Sequence, residues 1–327
     1  MTGRIPVTVI GGYLGAGKTT LLNRILAGAH GLRLAVMVND FGSVNIDAAL
    51  IESRDGETIS FTNGCICCSI GDNLAAALHD LAERPEGPDH IVIEASGVAD
   101  PATIAGYAMC HPRLGLDGMV ILADAETVRA RADDKYVGDL VRRQLAAADV
   151  IVLSKIDLAD EETCRQVQRW IVNEVPHARL IAGAEAAAVA ELLLANDIDI
   201  PSRPRASAPA GLHARQFAAW TFQRHQPLDG AALRAAIDAL PSTVVRAKGI
   251  VSLAEAPEAR FVLQLVGRRW SLEAQPGRGM PFACSEIVCI GLAEQLDSAR
   301  LDELFAGVTP GIATPTLRAL MQPEATS

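Results

Sequence analysis

Eight consecutive residues, Gly12-Tyr13-Leu14-Gly15-Ala16-Gly17-Lys18-Thr19, fit the pattern G-x-x-x-x-G-K-[ST] in full. This is the composition of a phosphate-binding loop. Its glycines permit backbone shapes that turn successive amides toward an anion. A helix starting at the lysine adds free N–H groups and a partial positive charge. Lys18 is placed to reach the β- and γ-phosphates, Thr19 to ligate Mg²⁺, and Thr20 continues the cradle. Two further phrases suit the same ligand. HIVIEASG (90–97) ends in Glu94 and, three residues on, Gly97. A carboxylate there can hold a Mg²⁺-bound water, and a glycine amide can sense the γ-phosphate. VLSKID (152–157) contains Ser154, Lys155 and Asp157. An aspartate at the last position accepts both the N1–H and the 2-amino group of guanine, a donor pair adenine lacks. GTP and GDP are therefore the expected nucleotides, with Lys18 and Glu94 the candidate catalytic residues. Ser154 stands where guanine-reading motifs usually carry Asn.

A second chemistry lies at TNGCICCSI (62–70), where Cys65, Cys67 and Cys68 fall within four residues. Three thiolates suit a soft or borderline metal such as Zn²⁺, Co²⁺ or Cu(I), and leave one tetrahedral position open. An open position suits a site that releases its metal. Two other readings stand beside this one: unconnected thiols in a buried loop, and a redox sensor. Asp40, in NDFG (39–42), is a candidate Mg²⁺ ligand, a carboxylate reaching toward the thiols, or a plain turn cap. Cys110-His111 is a weaker second ligand pair.

These residues need a scaffold. Ile5–Ile10, Leu34–Val38, His90–Ile93, Met119–Ala123, Val150–Leu153 and Arg179–Ile181 are apolar, β-branched runs. Helical patterns at Thr19–Ala29, Asn73–Glu83, Pro101–Met109, Tyr136–Ala147, Glu161–Val175 and Ala186–Ala195 alternate with them. Continuous apolar strands separated by helices predict a mostly parallel sheet covered on both faces. IESRDGETISF (51–61) reads as a hairpin turning at Asp55-Gly56. PSRPRASAPAG (201–211) reads as a linker. Beyond it, strands at 217–221, 244–251, 261–266, 269–272 and 286–290, with helices at 230–240 and 297–305, predict a smaller α+β unit. The expected organisation is 1–200, a nucleotide-binding domain with the thiol loop; 201–212, a linker; 213–308, the α+β domain; and 309–327, a loose tail.

Composition narrows the function. The 327 residues are 50% hydrophobic, ample for one large or two ordinary cores, and carry a net charge of −10. A negative field disfavours nucleic acid and anionic lipid. No apolar run approaches the ~18 residues of a membrane span. The start lacks a signal-peptide core, and the seven cysteines lack the spacing of a secreted disulfide scaffold. A cytoplasmic protein binding neither nucleic acid nor membrane is expected.

GGYLGAGKTTLLNRIL, VNDFGSVNID, TNGCICCSI, IVIEASGVADP and ADVIVLSKIDL, in this order, resemble the CobW-type metal-chaperone GTPases. RAKGIVSL (246–253) and IVCIGLAEQLDSARLDEL (287–304) resemble that family's second domain. The resemblance implies a P-loop GTPase domain joined to a smaller α+β domain. It also implies slow hydrolysis of GTP with Mg²⁺, and delivery of a transition metal, zinc or cobalt, from Cys65, Cys67 and Cys68. The expected partners are a metal-requiring client protein and a second copy in a homodimer. Many relatives carry Glu where this chain has Asp40 and Ser43, and a His-rich stretch where it has only His213 and His225. Two alternatives remain: a P-loop small-molecule kinase, and a non-catalytic metal or redox sensor.

Overall fold

The computed structural model describes residues 4–27, 33–39, 58–61, 70–85, 87–182, 217–275 and 285–308. The chain divides into two compact units, Met1–Asn196 and Asp197–Ser327.

The first unit is built on seven parallel strands: β1 (Ile5–Gly11), β2 (Leu34–Asn39), β3 (Thr58–Phe61), β4 (His90–Glu94), β5 (Leu114–Asp124), β6 (Val150–Ser154) and β7 (Arg179–Ala182). Their spatial order is β3-β2-β4-β1-β5-β6-β7. Six described helices join them: α1 (Lys18–Ala27), α2 (Ile70–Glu83), α3 (Pro101–Met109), α4 (Val128–Ala132), α5 (Gly138–Ala146) and α6 (Glu161–Glu174). On one sheet face Val7, Val9, Met37, Ile91 and Ile93 pack with Leu74, Leu78 and Leu81 of α2 and Ile104 of α3. Farther along, Ile121, Ala123, Ile151 and Leu153 pack with Val141 and Leu145 of α5 and with Val167 and Ile171 of α6. The alternate residues Ile10, Val36, Val92, Val120, Leu122 and Val152 are buried too. Burial on both faces is why these strands read as unbroken apolar runs.

Three local features depart from expectation. Thr58–Phe61 pairs parallel with β2, Val36 opposite Thr58, so it is not the return arm of a hairpin. An Asp-Gly turn is a local signal, whereas residues 40–57 are long enough for the crossover that a parallel partner requires. The proposed first arm lies outside the described residues. Strand β5 begins at Leu114, five residues before its apolar run, because Gly115, Asp117 and Gly118 interrupt the pattern. Helix α4, with five residues, was too short to show a period. The expected helix 186–195, the linker and the tail lie outside the described residues.

The second unit is an antiparallel sheet of β8 (Phe217–Arg224), β9 (Val244–Leu253), β10 (Ala256–Val266), β11 (Arg269–Gln275) and β12 (Ser285–Leu292), in the order β11-β10-β9-β12-β8. Helices α7 (Gly230–Asp238) and α8 (Ser298–Ala306) share its core. Phe305 of α8 lies 5.1 Å from both Trp220 and Phe222, ring centre to ring centre. The Trp220 indole N–H donates to Asp302 at 2.9 Å. Among the described residues no helix is long and apolar enough to cross a membrane.

Candidate functional site

Because all seven strands run parallel, their C-terminal ends share one edge. The central four, β4-β1-β5-β6, deliver Glu94, Gly12, Asp124 and Ser154 to that edge side by side. This is where ligands sit in open parallel sheets.

The loop between β1 and α1 is shaped by glycines at φ values of +132° (Gly12), +78° (Gly15) and +94° (Gly17), which side-chain-bearing residues rarely adopt. At Gly12 a Cβ would also stand 2.4 Å from the carbonyl oxygen of Leu122 on β5. Gly12 and Ala16 are buried, Tyr13 is half-buried, and Leu14, Gly15 and Thr20 are exposed. The Ala16 amide donates to the Tyr13 carbonyl at 3.1 Å, closing the loop. Lys18, the first residue of α1, is only 8% exposed, with Nζ 3.5 Å from the Tyr13 carbonyl oxygen.

Thr19 donates its hydroxyl proton to Glu94 Oε1 at 3.0 Å. Glu94 ends β4, opposite Ile10, and is 2% exposed. The structure thus joins two residues 75 positions apart. A hydroxyl and a carboxylate in contact form an all-oxygen donor pair, which fits a hard cation such as Mg²⁺. Gly97 follows Glu94 and touches the phosphate loop. Its Cβ position lies 2.8 Å from Leu14 N and 2.9 Å from Leu14 Cα. Helix α3 then starts at Pro101, capped by Asp100, whose carboxylate accepts from the Ala102 amide at 2.9 Å.

At the end of β6, Ser154 Oγ lies 2.8 Å from the Ala16 carbonyl and 3.2 Å from the Ala123 carbonyl. One hydroxyl has one proton, so the shorter contact to the phosphate loop is the better donation. Serine here ties the end of β6 to the loop between β1 and α1. Lys155 has φ +56°, the left-handed region. A non-glycine residue held there costs about 1–3 kcal/mol, and such residues cluster at active sites, ligand clamps and switch regions. Lys155 Nζ pairs with Asp124 Oδ2 at 2.8 Å, while Asp124 Oδ1 accepts from the Glu126 amide at 2.9 Å. Asp157 is exposed. Asp160, three residues on, caps α6, and the Thr163 amide bonded to it lowers its carboxyl below the usual range.

Two participants escaped the sequence reading. Asp124 holds Lys155, and Gln144 of α5 holds the segment around Gly97. Gln144 carried a readable signal: it falls on the apolar stripe with Val141 and Leu145, where a polar residue is out of place. Cys65, Cys67, Cys68 and Asp40 lie outside the described residues. Among the described residues no group of three or more His, Cys, Asp or Glu side chains is placed to hold a metal. Cys110 is exposed, and the neighbouring His111 sits 3.5 Å from Glu83.

A glycine-shaped strand–loop–helix, a strand-end carboxylate on its threonine, and a lysine–aspartate turn alongside define a P-loop nucleotide-binding protein. Comparison with known proteins narrows the class. The family model described as CobW/HypB/UreG, nucleotide-binding domain, matches residues 6–182, and that of the cobalamin synthesis protein cobW C-terminal domain matches residues 217–309. The chain belongs to the CobW/HypB/UreG family. A zinc chaperone CobW of a Sinorhizobium species is 29% identical over 312 residues, covering 82% of this chain and 86% of its own length. A zinc chaperone YjiA of Escherichia coli K12 is 41% identical over 166 residues, 48% of this chain and 51% of that protein. The chain therefore spans about half of that second relative. The crystal structure of Zn(II)-bound YjiA GTPase from E. coli matches over 94% of this chain and 100% of its own, at 24% identity and a TM-score of 0.44.

Proposed function

We propose that the chain is a GTP-hydrolysing metallochaperone that carries a transition metal on Cys65, Cys67 and Cys68 and hands it to a client protein in a nucleotide-dependent way. The observation carrying this reading is the convergence of Gly12–Thr20, Glu94–Gly97 and Ser154–Asp157 on one sheet edge. The last described residue before the thiol phrase reaches that edge as well. It is Phe61, the end of β3, aligned with Asn39 at the end of β2. Strand spacing places β3 about 10 Å from β4 and about 14 Å from β1.

In this reading the loop amides and Lys18 bind the β- and γ-phosphates. Thr19 would hold Mg²⁺ directly and Glu94 through its water, and the ion would neutralise charge on the phosphate oxygens. Asp157 accepts the two guanine donors, and Ser154 and Asp124 fix the turn that aims it. Hydrolysis is attack of a water oxygen on the γ-phosphorus, cleavage of its bond to the β,γ-bridging oxygen, and release of GDP, phosphate and a proton. In this reading the reaction is slow and a partner completes the site. Family membership and relatives named as zinc chaperones support zinc as the first cargo to test, with cobalt next.

Phosphate release from GTP and from ATP, with Lys18→Ala beside the parent, tests the enzyme half. GTP-selective release that Lys18→Ala abolishes is the expected result. Unchanged release by Lys18→Ala would overturn the reading.

A further inference from the structure

Gln144 is 1% exposed, and its amide nitrogen donates to two backbone carbonyls, Gly97 at 3.1 Å and Ala99 at 2.8 Å. Both partners are acceptors only, so the NH₂ end of the amide must face them. The two carbonyls belong to the short segment between Glu94 and α3, the segment whose Gly97 presses on Leu14. The other end of the amide is different. Oε1 is buried without a hydrogen-bond partner. Gln144 also lines a cavity of about 20 Å³ together with Gly12, Tyr13, Leu14 and Arg131. That is room for about one water molecule. A buried amide satisfied at one end only is a poor choice for plain packing, where Leu or Met would fill the same stripe.

The placement has a mechanical consequence. Two hydrogen bonds fasten the Gly97–Ala99 segment to α5, and α5 runs within a few residues into β6, which ends at Ser154. If Gly97 moves toward a γ-phosphate, the Gln144 bonds must stretch or α5 must follow. The unpartnered Oε1 beside the cavity leaves the amide room to shift.

We propose that Gln144 is a positioning residue that sets the Gly97 amide against the phosphate loop, and so lets the protein tell GTP from GDP and passes that difference to α5 and β6. This rests on the reading that Gly12–Thr20 binds guanine nucleotide. Gln144 touches no substrate; it acts through Gly97.

The test uses the full chain and Gln144→Met, which keeps length and burial but removes the donor. Affinities for GDP and for a non-hydrolysable GTP analogue are measured on both proteins with Mg²⁺. The analogue should bind about tenfold more weakly to the variant, within the range for two lost neutral hydrogen bonds, while GDP stays within about twofold. Equal weakening of both nucleotides, or no change, would overturn the proposal. A wild-type chain that binds neither nucleotide would sink the functional reading, and this proposal with it. Hydrogen exchange on the wild-type protein supplies a second readout that no folding defect can spoil. Protection of residues 95–100 and of 138–146 should change together between the GDP and analogue states. Change in the first segment alone would contradict the coupling.

Discussion

Ser154 Oγ stands 2.8 Å from the carbonyl oxygen of Ala16, joining the end of β6 to the glycine-rich loop after β1 across 138 residues of chain. The contact requires β1, β5 and β6 to be neighbours in one parallel sheet, which they are. It also explains how serine serves where asparagine is usual: the hydroxyl is long enough to reach the loop because the strand end already lies against it. Ser154→Ala removes the link and with it the hydroxyl donor to the Ala16 carbonyl. The loss of one such bond is about 0.5–1.5 kcal/mol, so GDP and GTP should each bind about two- to tenfold more weakly. Their ratio should not move, in contrast to Gln144→Met. Titration with fluorescent guanine nucleotides measures both.

Gly97 cannot carry a side chain where it sits. The Leu14 side chain, 60% exposed, could swing away from an added methyl group, but Leu14 N and Cα at 2.8 and 2.9 Å could not. Gly97→Ala should therefore push the segment off the phosphate loop. We expect single-turnover GTP hydrolysis to fall by about tenfold or more, the scale set by losing one well-placed amide. The melting temperature should change little, because the strain sits at the sheet edge and not in the core. A Gly97→Ala protein with the parental single-turnover rate would remove this glycine from the mechanism.

Asp157→Asn should change the base that is read. In the proposed reading the exposed carboxylate accepts two hydrogen bonds from guanine, whereas an amide offers one acceptor and one donor. Xanthine carries a carbonyl where guanine carries its 2-amino group, so it matches the amide. Competition between GDP and xanthosine diphosphate should shift toward xanthine by about an order of magnitude or more. No shift would remove Asp157 from the base site.

Cys289 should be inert in the folded protein. Burial pushes its thiol from its ordinary value near 9 up to about 12. Thiolate is the reactive form, so an alkylating reagent at neutral pH should leave Cys289 unmodified and label the exposed Cys110. The sign for stability follows from the raised value. The folded state holds this proton more tightly, so its contribution is complete below pH 9 and is lost as pH rises toward 12. The unfolding midpoint should fall across that window, and Cys289→Ser should flatten the fall.

Much of this architecture is written in local patterns. Buried parallel strands such as VIVL and HIVI have no polar phase to confuse them, and the glycines of the phosphate loop and the β-branched run before it announce one another. What escaped is what depends on distant partners. Thr58–Phe61 has the alternation of a hairpin arm, and only its pairing with Val36–Asn39 reveals a parallel edge strand. Asp124 closes a strand like many acids, and only the fold sets it against Lys155. Gln144 was legible in part, as a polar residue on an apolar stripe, but its two carbonyl partners lie 45 and 47 residues away.

If nucleotide state governs a thiolate metal site, a competition titration should reveal it. Zn²⁺, then Co²⁺, is titrated against a calibrated chelator with the nucleotide-free, Mg·GDP and Mg·GTP-analogue forms, beside the Cys65→Ser/Cys67→Ser/Cys68→Ser triple variant. Tight binding is expected, lost in the triple variant and different between the GDP and analogue forms. A 100-fold change would correspond to a coupling of about 2.7 kcal/mol. Cysteine-dependent binding that is the same in every nucleotide state would contradict the coupling, and binding that survives in the triple variant would contradict the site itself.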